Sequence, residues 1–165
     1  MKEAHMQTRT LRCATVLGIV VALFGTRSAA QGTDPVVGTW VLNVAKSTFS
    51  PGPAPKSESR TYVAAGKETK VTSAGVGADG KPTAGEWTIV ADGRDVPMTG
   101  NPNADTLSLK QIDAFNTEFA LKKAGKVVIT GTRTISRDGK VMTITNKGTN
   151  AKGQAVNDVL VFEKR

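Results

Sequence analysis

Arg133 is the side chain whose position in the sequence most clearly suggests a chemical role. It lies in the middle of residues 126–136, a run rich in valine, isoleucine and threonine. It shares its parity with three aliphatic residues, Val127, Ile129 and Ile135. If that face of a strand is interior, the guanidinium needs a carboxylate, an aromatic ring or a ligand anion, because an unpaired buried charge is costly.

The opposite register of the same run would leave Arg133 in water. It would bury the other face of the strand, which consists of Val128, Thr130, Thr132 and Thr134. Both faces carry residues that are common in strands, so periodicity alone leaves the two registers open.

A second group of side chains suggests an interior that holds an anion or an apolar molecule. Arg60 alternates with Tyr62 on one face, a pairing able to hold an anion, although Glu58 would serve equally well as a surface partner of Arg60. Trp87 and Phe119 lie on the apolar parities of their own runs. We therefore predict Arg60, Tyr62, Trp87, Phe119 and Arg133 as ligand-binding residues, the alternative being that the rings simply fill a core.

The sequence gives little support for catalysis. Asp92 and Asp95 form a carboxylate pair of the kind that glycosidases use, but an Asp-Gly turn explains the first of them. Lys46 and Ser47 do not suit a Ser-Lys hydrolase, because successive side chains of an extended segment point to opposite sides. Residues 101–105 carry too few carboxylates for a calcium loop. We predict no catalytic residue, no metal site, no cofactor and no enzyme activity.

Residues 1–30 have the three-part pattern of a secretory signal peptide. A basic start is followed by an uncharged apolar run at residues 14–25 and by small residues at 28–30. The apolar run is too short to span the hydrocarbon core of a bilayer. We therefore predict cleavage after Ala30, a periplasmic or secreted location, and no stable membrane insertion of the mature protein.

Removal of the leader restricts the chemistry of the mature chain. His5 and Cys13 are the only histidine and cysteine, so residues 31–165 contain neither, which excludes disulfides, thiol nucleophiles and imidazole bases. Of the 22 basic and 14 acidic residues, four and one lie in the leader, which leaves a net charge of +5. The basic residues form no stripe interleaved with aromatics, so we expect no nucleic-acid partner. Residues 31–165 suit one domain, which we expect to be a monomer.

Trp40 is the predicted structural anchor of the fold. It lies in the first strand-like run, residues 37–44, where Trp40, Leu42 and Val44 project from one face. One indole can bury about 200 Å², worth on the order of 5 kcal/mol as an upper estimate. We expect the rest of the domain to close over this strand.

The remainder of the mature chain consists of short β-rich runs separated by turn residues such as Asp79-Gly80, Asp92-Gly93 and Asp138-Gly139. No window shows helical spacing of apolar residues. Eight to ten consecutive strands without crossover helices predict an all-β, antiparallel up-and-down architecture, either a barrel or a sandwich. A closed barrel is favoured because an open meander would expose two edges, and closure makes the first and last strands neighbours.

The Gly38-Thr39-Trp40 opening and the ending at residues 159–165 resemble the calycin superfamily, which includes lipocalins and intracellular fatty-acid-binding proteins. The mature domain is also similar to small exported bacterial lipocalin-like proteins, in segments 42–50, 79–82 and 99–109. The resemblance implies a barrel with its ligand inside. It also offers a third interpretation of Arg133, in which a basic residue stacks on Trp40 as a structural latch.

Two departures limit what the resemblance implies. Pro51, Pro53 and Pro55 occupy the place of the helical lid of the fatty-acid-binding proteins, and the chain ends where lipocalins have a helix. We therefore expect a compact barrel without lid helices. The last strand has Phe162 and no tyrosine, so the carboxylate-binding pattern of the fatty-acid-binding proteins does not carry over.

Two functions follow from these expectations. The first is an exported barrel that binds a small hydrophobic or anionic amphipathic molecule in its interior. The alternative is a packed barrel without a ligand, which acts through its surface as an interaction or inhibitor module of the cell envelope, with the proline-rich segment as its contact.

Overall fold

The computed structural model describes residues 34–165, which form ten antiparallel strands in one sheet. The strands are β1 (Gly38–Leu42), β2 (Ser57–Ala65), β3 (Glu68–Val76), β4 (Pro82–Ile89), β5 (Asp92–Pro97), β6 (Thr106–Gln111), β7 (Asn116–Lys123), β8 (Lys126–Ile135), β9 (Val141–Thr149) and β10 (Ala155–Lys164). The one helical element in this range is a 3-10 turn, Val44–Lys46, and no helix here is long and apolar enough to cross a membrane.

The predicted up-and-down barrel without lid helices is confirmed, and the single sheet excludes the sandwich. Neighbouring strands in the sheet are consecutive in the chain, except that β1 pairs with β10, with Trp40 opposite Lys164. The first and last strands are therefore neighbours, as predicted. The predicted signal peptide, residues 1–30 with cleavage after Ala30, lies outside the described residues.

The barrel is nearly closed, which corrects the expectation of complete closure. Strands β4 and β5 form the two ends of the sheet order and share no ladder. Within the described part of the chain a single isolated bridge joins them, between Trp87 and Met98, just beyond β5. The predicted turn at Asp92-Gly93 lies inside β5 instead, where the register shifts between Asp92 and Asp95.

Trp40 is completely buried in the core. Its Nε1 donates a hydrogen bond to the Val36 carbonyl at 2.7 Å. The Lys164 Nζ lies 5.0 Å from the centre of the indole and donates to the Pro35 carbonyl at 3.0 Å. The basic residue on Trp40 is therefore Lys164, and the interpretation that assigned this position to Arg133 is wrong. The ammonium joins the last strand to the segment that precedes β1.

The first part of the connection between β1 and β2 pairs alongside β10 through backbone hydrogen bonds. The Thr48 amide donates to the Val159 carbonyl at 2.7 Å, and the Ser50 amide donates to the Asp158 carboxylate at 2.9 Å. The prolines that follow, up to Pro55, lead to β2 without regular secondary structure. This segment forms part of the rim at one end of the barrel.

Candidate ligand-binding cavity

A cavity of about 510 Å³ lies inside the barrel and extends to the rim that contains the proline-rich connection. Strands β2 and β4 and the loops at the rim contribute most of its wall, and β6, β7, β9 and β10 contribute an aliphatic side. The aliphatic residues there are Leu107, Leu109, Leu121, Ile144 and Leu160. This volume is in the range of small-molecule sites. The described chain therefore does not form the packed, cavity-free barrel of the alternative hypothesis.

All five predicted ligand-binding residues line this one cavity, namely Arg60, Tyr62, Trp87, Phe119 and Arg133. Strand alternation brings them there from four strands. Tyr62 lies opposite Val71, for example, and Val71 lies opposite Trp87 in the next ladder. The structure thus places these residues together, while their contact with a ligand stays a prediction.

Arg133 points into the barrel, so the register that would leave it in water is wrong. The residue is 6% exposed, and its Cζ lies 5.8 Å from the centre of the Tyr62 ring. Its Nε is buried without a hydrogen-bond partner, and none of the ion pairs among residues 34–165 includes its guanidinium. Among residues 34–165, Arg133 is the one charged residue with a buried side-chain nitrogen that has no hydrogen-bond partner, an arrangement that costs free energy.

Arg133 also marks the deep end of the cavity. A smaller cavity of about 150 Å³ lies towards the opposite end of the barrel, where it is lined by Gly66 and Lys67 of the β2–β3 turn and by Ala91. Arg133 lines both cavities. The guanidinium therefore stands between them, at the end of the larger cavity that is remote from the proline-rich rim.

Thr117 is a buried polar neighbour of Arg133 that the sequence reasoning missed, although it lines neither cavity. It is 2% exposed and lies directly opposite Arg133 in the β7–β8 ladder. Its Oγ1 is buried and has no hydrogen-bond partner within the described range. The available signal was parity, because Thr117 shares the inward face of β7 with Phe119 and Leu121. Two unpartnered polar groups thus occupy neighbouring positions on the inward face of the sheet.

Arg60 and Glu58 form a second polar group nearer the rim. The Arg60 Nε donates to the Glu58 carboxylate at 2.6 Å, and the two side chains are 18% and 22% exposed. The guanidinium also stacks on Phe162, with its Cζ 4.8 Å from the ring centre. Burial opposes the charged form, but the Glu58 carboxylate and the Tyr62 side chain together outweigh it and raise the pKa of Arg60. Glu58 is thus the partner of Arg60, but inside the cavity wall and not at the outer surface.

Phe119 occupies its place in the wall because the residue opposite it is Gly131. A Cβ atom at Gly131 would collide with the Thr145 carbonyl oxygen and with the Phe119 ring. Glycine therefore creates the space in which the ring lies.

Gly131→Ala is accordingly expected to lower the free energy of unfolding by about 1–3 kcal/mol through overpacking. Urea unfolding followed by circular dichroism measures it. Thr130→Ala, an exposed position on the same strand, is the matched control and is expected to change stability by about 0.5 kcal/mol or less. Equal stability of the two variants would contradict the assigned packing of Phe119.

The carboxylates and the Lys-Ser pair considered for catalysis lie outside the cavity wall. Asp95 pairs with Lys122 at 2.7 Å, and Asp92 lies 3.5 Å from the nearest guanidinium nitrogen of Arg94. The Ser47 hydroxyl donates to the Asn43 carbonyl at 2.7 Å. Residues 34–165 contain no group of three or more acidic, histidine or cysteine side chains placed to hold a metal.

Comparison with known proteins gives similarity of fold alone. No known family profile and no curated protein matches the chain. Zebrafish ileal bile acid-binding protein complexed with cholic acid is similar over 79% of this chain and 99% of its own, at 12% identity and a TM-score of 0.47. The redesigned β-barrel mFAP1, bound to DFHBI, covers 79% of this chain and 95% of its own, at 14% identity and a TM-score of 0.38. The redesigned β-barrel mFAP0, also bound to DFHBI, covers 79% of this chain and 99% of its own, at 15% identity and a TM-score of 0.39.

The strand layout itself agrees with the calycin-like fold that the opening and closing motifs predict. Ten antiparallel strands follow one another around the barrel, and the tryptophan of β1 packs beneath the end of β10.

Proposed function

We propose that this protein binds a small amphipathic monoanion inside its barrel, with the anionic group on Arg133. The observation that carries the proposal is the buried Arg133 side chain, whose Nε has no hydrogen-bond partner and whose guanidinium forms no ion pair with the described residues. A carboxylate or similar anion would satisfy it with two parallel, charge-assisted hydrogen bonds.

The charge of the cavity wall supports an anion over a neutral ligand. Among the described lining residues, Arg60 and Arg133 are the cations and Glu58 is the only carboxylate. Glu58 is already paired with Arg60. The wall of the larger cavity therefore carries one more cation than carboxylate, a charge that a monoanion neutralises, whereas the carboxylates of Asp34 and Glu68 line only the smaller cavity.

The rest of the cavity supports an apolar body for the ligand. Leucine and isoleucine side chains and the rings of Trp87 and Phe119 surround the space between Arg133 and the rim. Burial of an alkyl chain there is favourable by about 0.8 kcal/mol for each CH₂ group. A molecule with one anionic end and a hydrocarbon body fits both halves of the wall.

We further propose that the protein works outside the cytoplasm, in the periplasm or after secretion. The support is the signal-peptide pattern of residues 1–30 with its small residues before position 31. A soluble barrel there would carry an amphipathic molecule through water by covering its apolar part.

The proposal predicts that the purified protein binds dodecanoate about 10-fold or more tightly than methyl dodecanoate, because the ester lacks the charge that Arg133 requires. Titration calorimetry measures both affinities. The protein has two tryptophans, and only Trp87 lines the cavity, so dodecanoate is also expected to change tryptophan emission.

Trp87→Phe is the control for the optical signal. It is expected to remove most of the fluorescence change and to retain calorimetric binding. Equal affinity for the acid and the ester, or no saturable binding of either, would refute the proposed function.

A further inference from the structure

The cavity has a second polar zone at the end away from Arg133. Glu58 precedes Tyr62 by four residues of β2, a separation of about 13 Å along the strand at 3.3 Å per residue. Tyr62 is the ring that lies beside Arg133. Glu58 and the guanidinium of Arg133 thus lie at different depths, and Arg60 lies between Glu58 and Tyr62 along β2 and interacts with the Tyr62 side chain as well.

The Glu58–Arg60 pair offers a donor and an acceptor side by side. Glu58 uses Oε1 to hold Arg60, and its Oε2 makes no hydrogen bond with the described residues. Arg60 commits Nε to Glu58 and has further N–H groups on the same planar guanidinium. Both side chains line the cavity, and so do the hydroxyl-bearing residues Ser73 and Thr83 on the adjacent strands.

We propose that the ligand carries a neutral hydroxyl or amide group at the end remote from its anion, and that Glu58 and Arg60 bind this group. This inference rests on the proposed function and specifies its ligand class. A hydroxyl donates to the free carboxylate oxygen and accepts from the guanidinium at once. Glu58 would repel a second carboxylate, and Arg60 would repel a cation. The paired charges therefore select a neutral group that donates one hydrogen bond and accepts another.

The test compares three ligands of one chain length in the unaltered protein: dodecanoate, 12-hydroxydodecanoate and dodecanedioate. We expect the hydroxy acid to bind about five-fold more tightly than dodecanoate, the effect of one added hydrogen bond, and the diacid to gain nothing. A series of ω-hydroxy acids from eight to fourteen carbons is expected to show the gain only above the length that reaches from Arg133 to Glu58.

Glu58→Gln makes the assignment specific. This substitution keeps the size of the side chain and removes its charge, which leaves Arg60 without a carboxylate. We expect the advantage of the hydroxy acid to fall below about two-fold, and the diacid to become the tightest ligand because its second carboxylate can pair with Arg60.

The outcomes separate this inference from the function on which it rests. If dodecanoate and its hydroxy analogue bind equally well, the ligand class is wrong and the proposed function stands. If the hydroxy acid keeps its advantage in Glu58→Gln, the assignment to this pair is wrong. If no acid binds, both proposals fall. The three-ligand comparison in the unaltered protein decides the ligand class even if Glu58→Gln does not fold.

Discussion

Arg133→Met is expected to weaken dodecanoate binding about 10- to 100-fold, because it removes the charge-assisted hydrogen bonds that hold the anion. The same substitution is expected to raise the free energy of unfolding of the ligand-free protein by about 1–3 kcal/mol. The buried Nε of Arg133 has no partner, and a methionine of similar length leaves no unsatisfied donor. Titration calorimetry and urea unfolding measure the two effects separately.

The opposite signs of these effects make the experiment decisive. If a residue only supports the fold, its replacement lowers both the free energy of unfolding and the affinity for the ligand. If a residue is kept for binding, its replacement lowers the affinity but raises the free energy of unfolding of the ligand-free protein. Arg137→Met is the matched control, since Arg137 is exposed and stacks on Phe115 with its Cζ 4.6 Å from the ring centre. It is expected to leave dodecanoate affinity unchanged. If Arg133→Met binds dodecanoate as tightly as the unaltered protein, the anion binds elsewhere. If Arg133→Met has a lower free energy of unfolding, the guanidinium makes stabilising contacts in the ligand-free protein.

The register of β8 shows where sequence reasoning reaches its limit. Residues 126–136 carry strand-forming residues on both faces, so alternation could not decide which face is interior. The neighbouring strands decide it, because Thr117 and Ile144 lie opposite Arg133 and share its inward direction. Val127 has the parity of Arg133 but is exposed, since a register shift near Leu121 reverses the alternation at the start of the strand.

Other features depend on contacts between distant segments and were not accessible from local patterns. The stacking of Lys164 on Trp40 requires the β1–β10 pairing. The resemblance to calycins offered Arg133 for this position as one of three interpretations, and that interpretation is wrong. The gap between β4 and β5 could not be predicted from the sequence, because Asp92-Gly93 has the composition of a hairpin turn but lies within β5. By contrast, the barrel and the inward positions of Arg60, Tyr62, Trp87 and Phe119 followed from parity, since strand alternation is set locally by the backbone.

Gly131 illustrates why small residues alone did not reveal the cavity. The sequence shows a glycine inside a strand, which would be consistent with open space in the barrel. In the structure the Phe119 ring occupies that space. The cavity volume therefore depends on which ring faces which glycine across the ladder, and this information resides in strand register.

Trp40→Ala is expected to lower the free energy of unfolding by about 3–5 kcal/mol, a large part of the 5–15 kcal/mol that holds an ordinary domain folded. The indole is completely buried, so its removal leaves a void, and it also releases the Val36 carbonyl and the Lys164 ammonium from their contacts. Urea unfolding followed by circular dichroism measures the loss. Trp40→Phe keeps most of the apolar contact and is expected to cost about 1–2 kcal/mol, mainly the hydrogen bond to Val36.

Trp87→Ala is the matched control for Trp40→Ala, because it removes the same side chain from a wall that already borders empty space. Fewer packing contacts are lost there, so the destabilisation is expected to be clearly smaller than at Trp40. If Trp40→Ala instead melts within a degree or two of the unaltered protein, the indole does not hold the first and last strands together, and the β1–β10 pairing must be held by its backbone hydrogen bonds alone. A loss at Trp40 several times that at Trp87 would show that barrel stability resides at this pairing and that the cavity wall is kept loosely packed for its ligand.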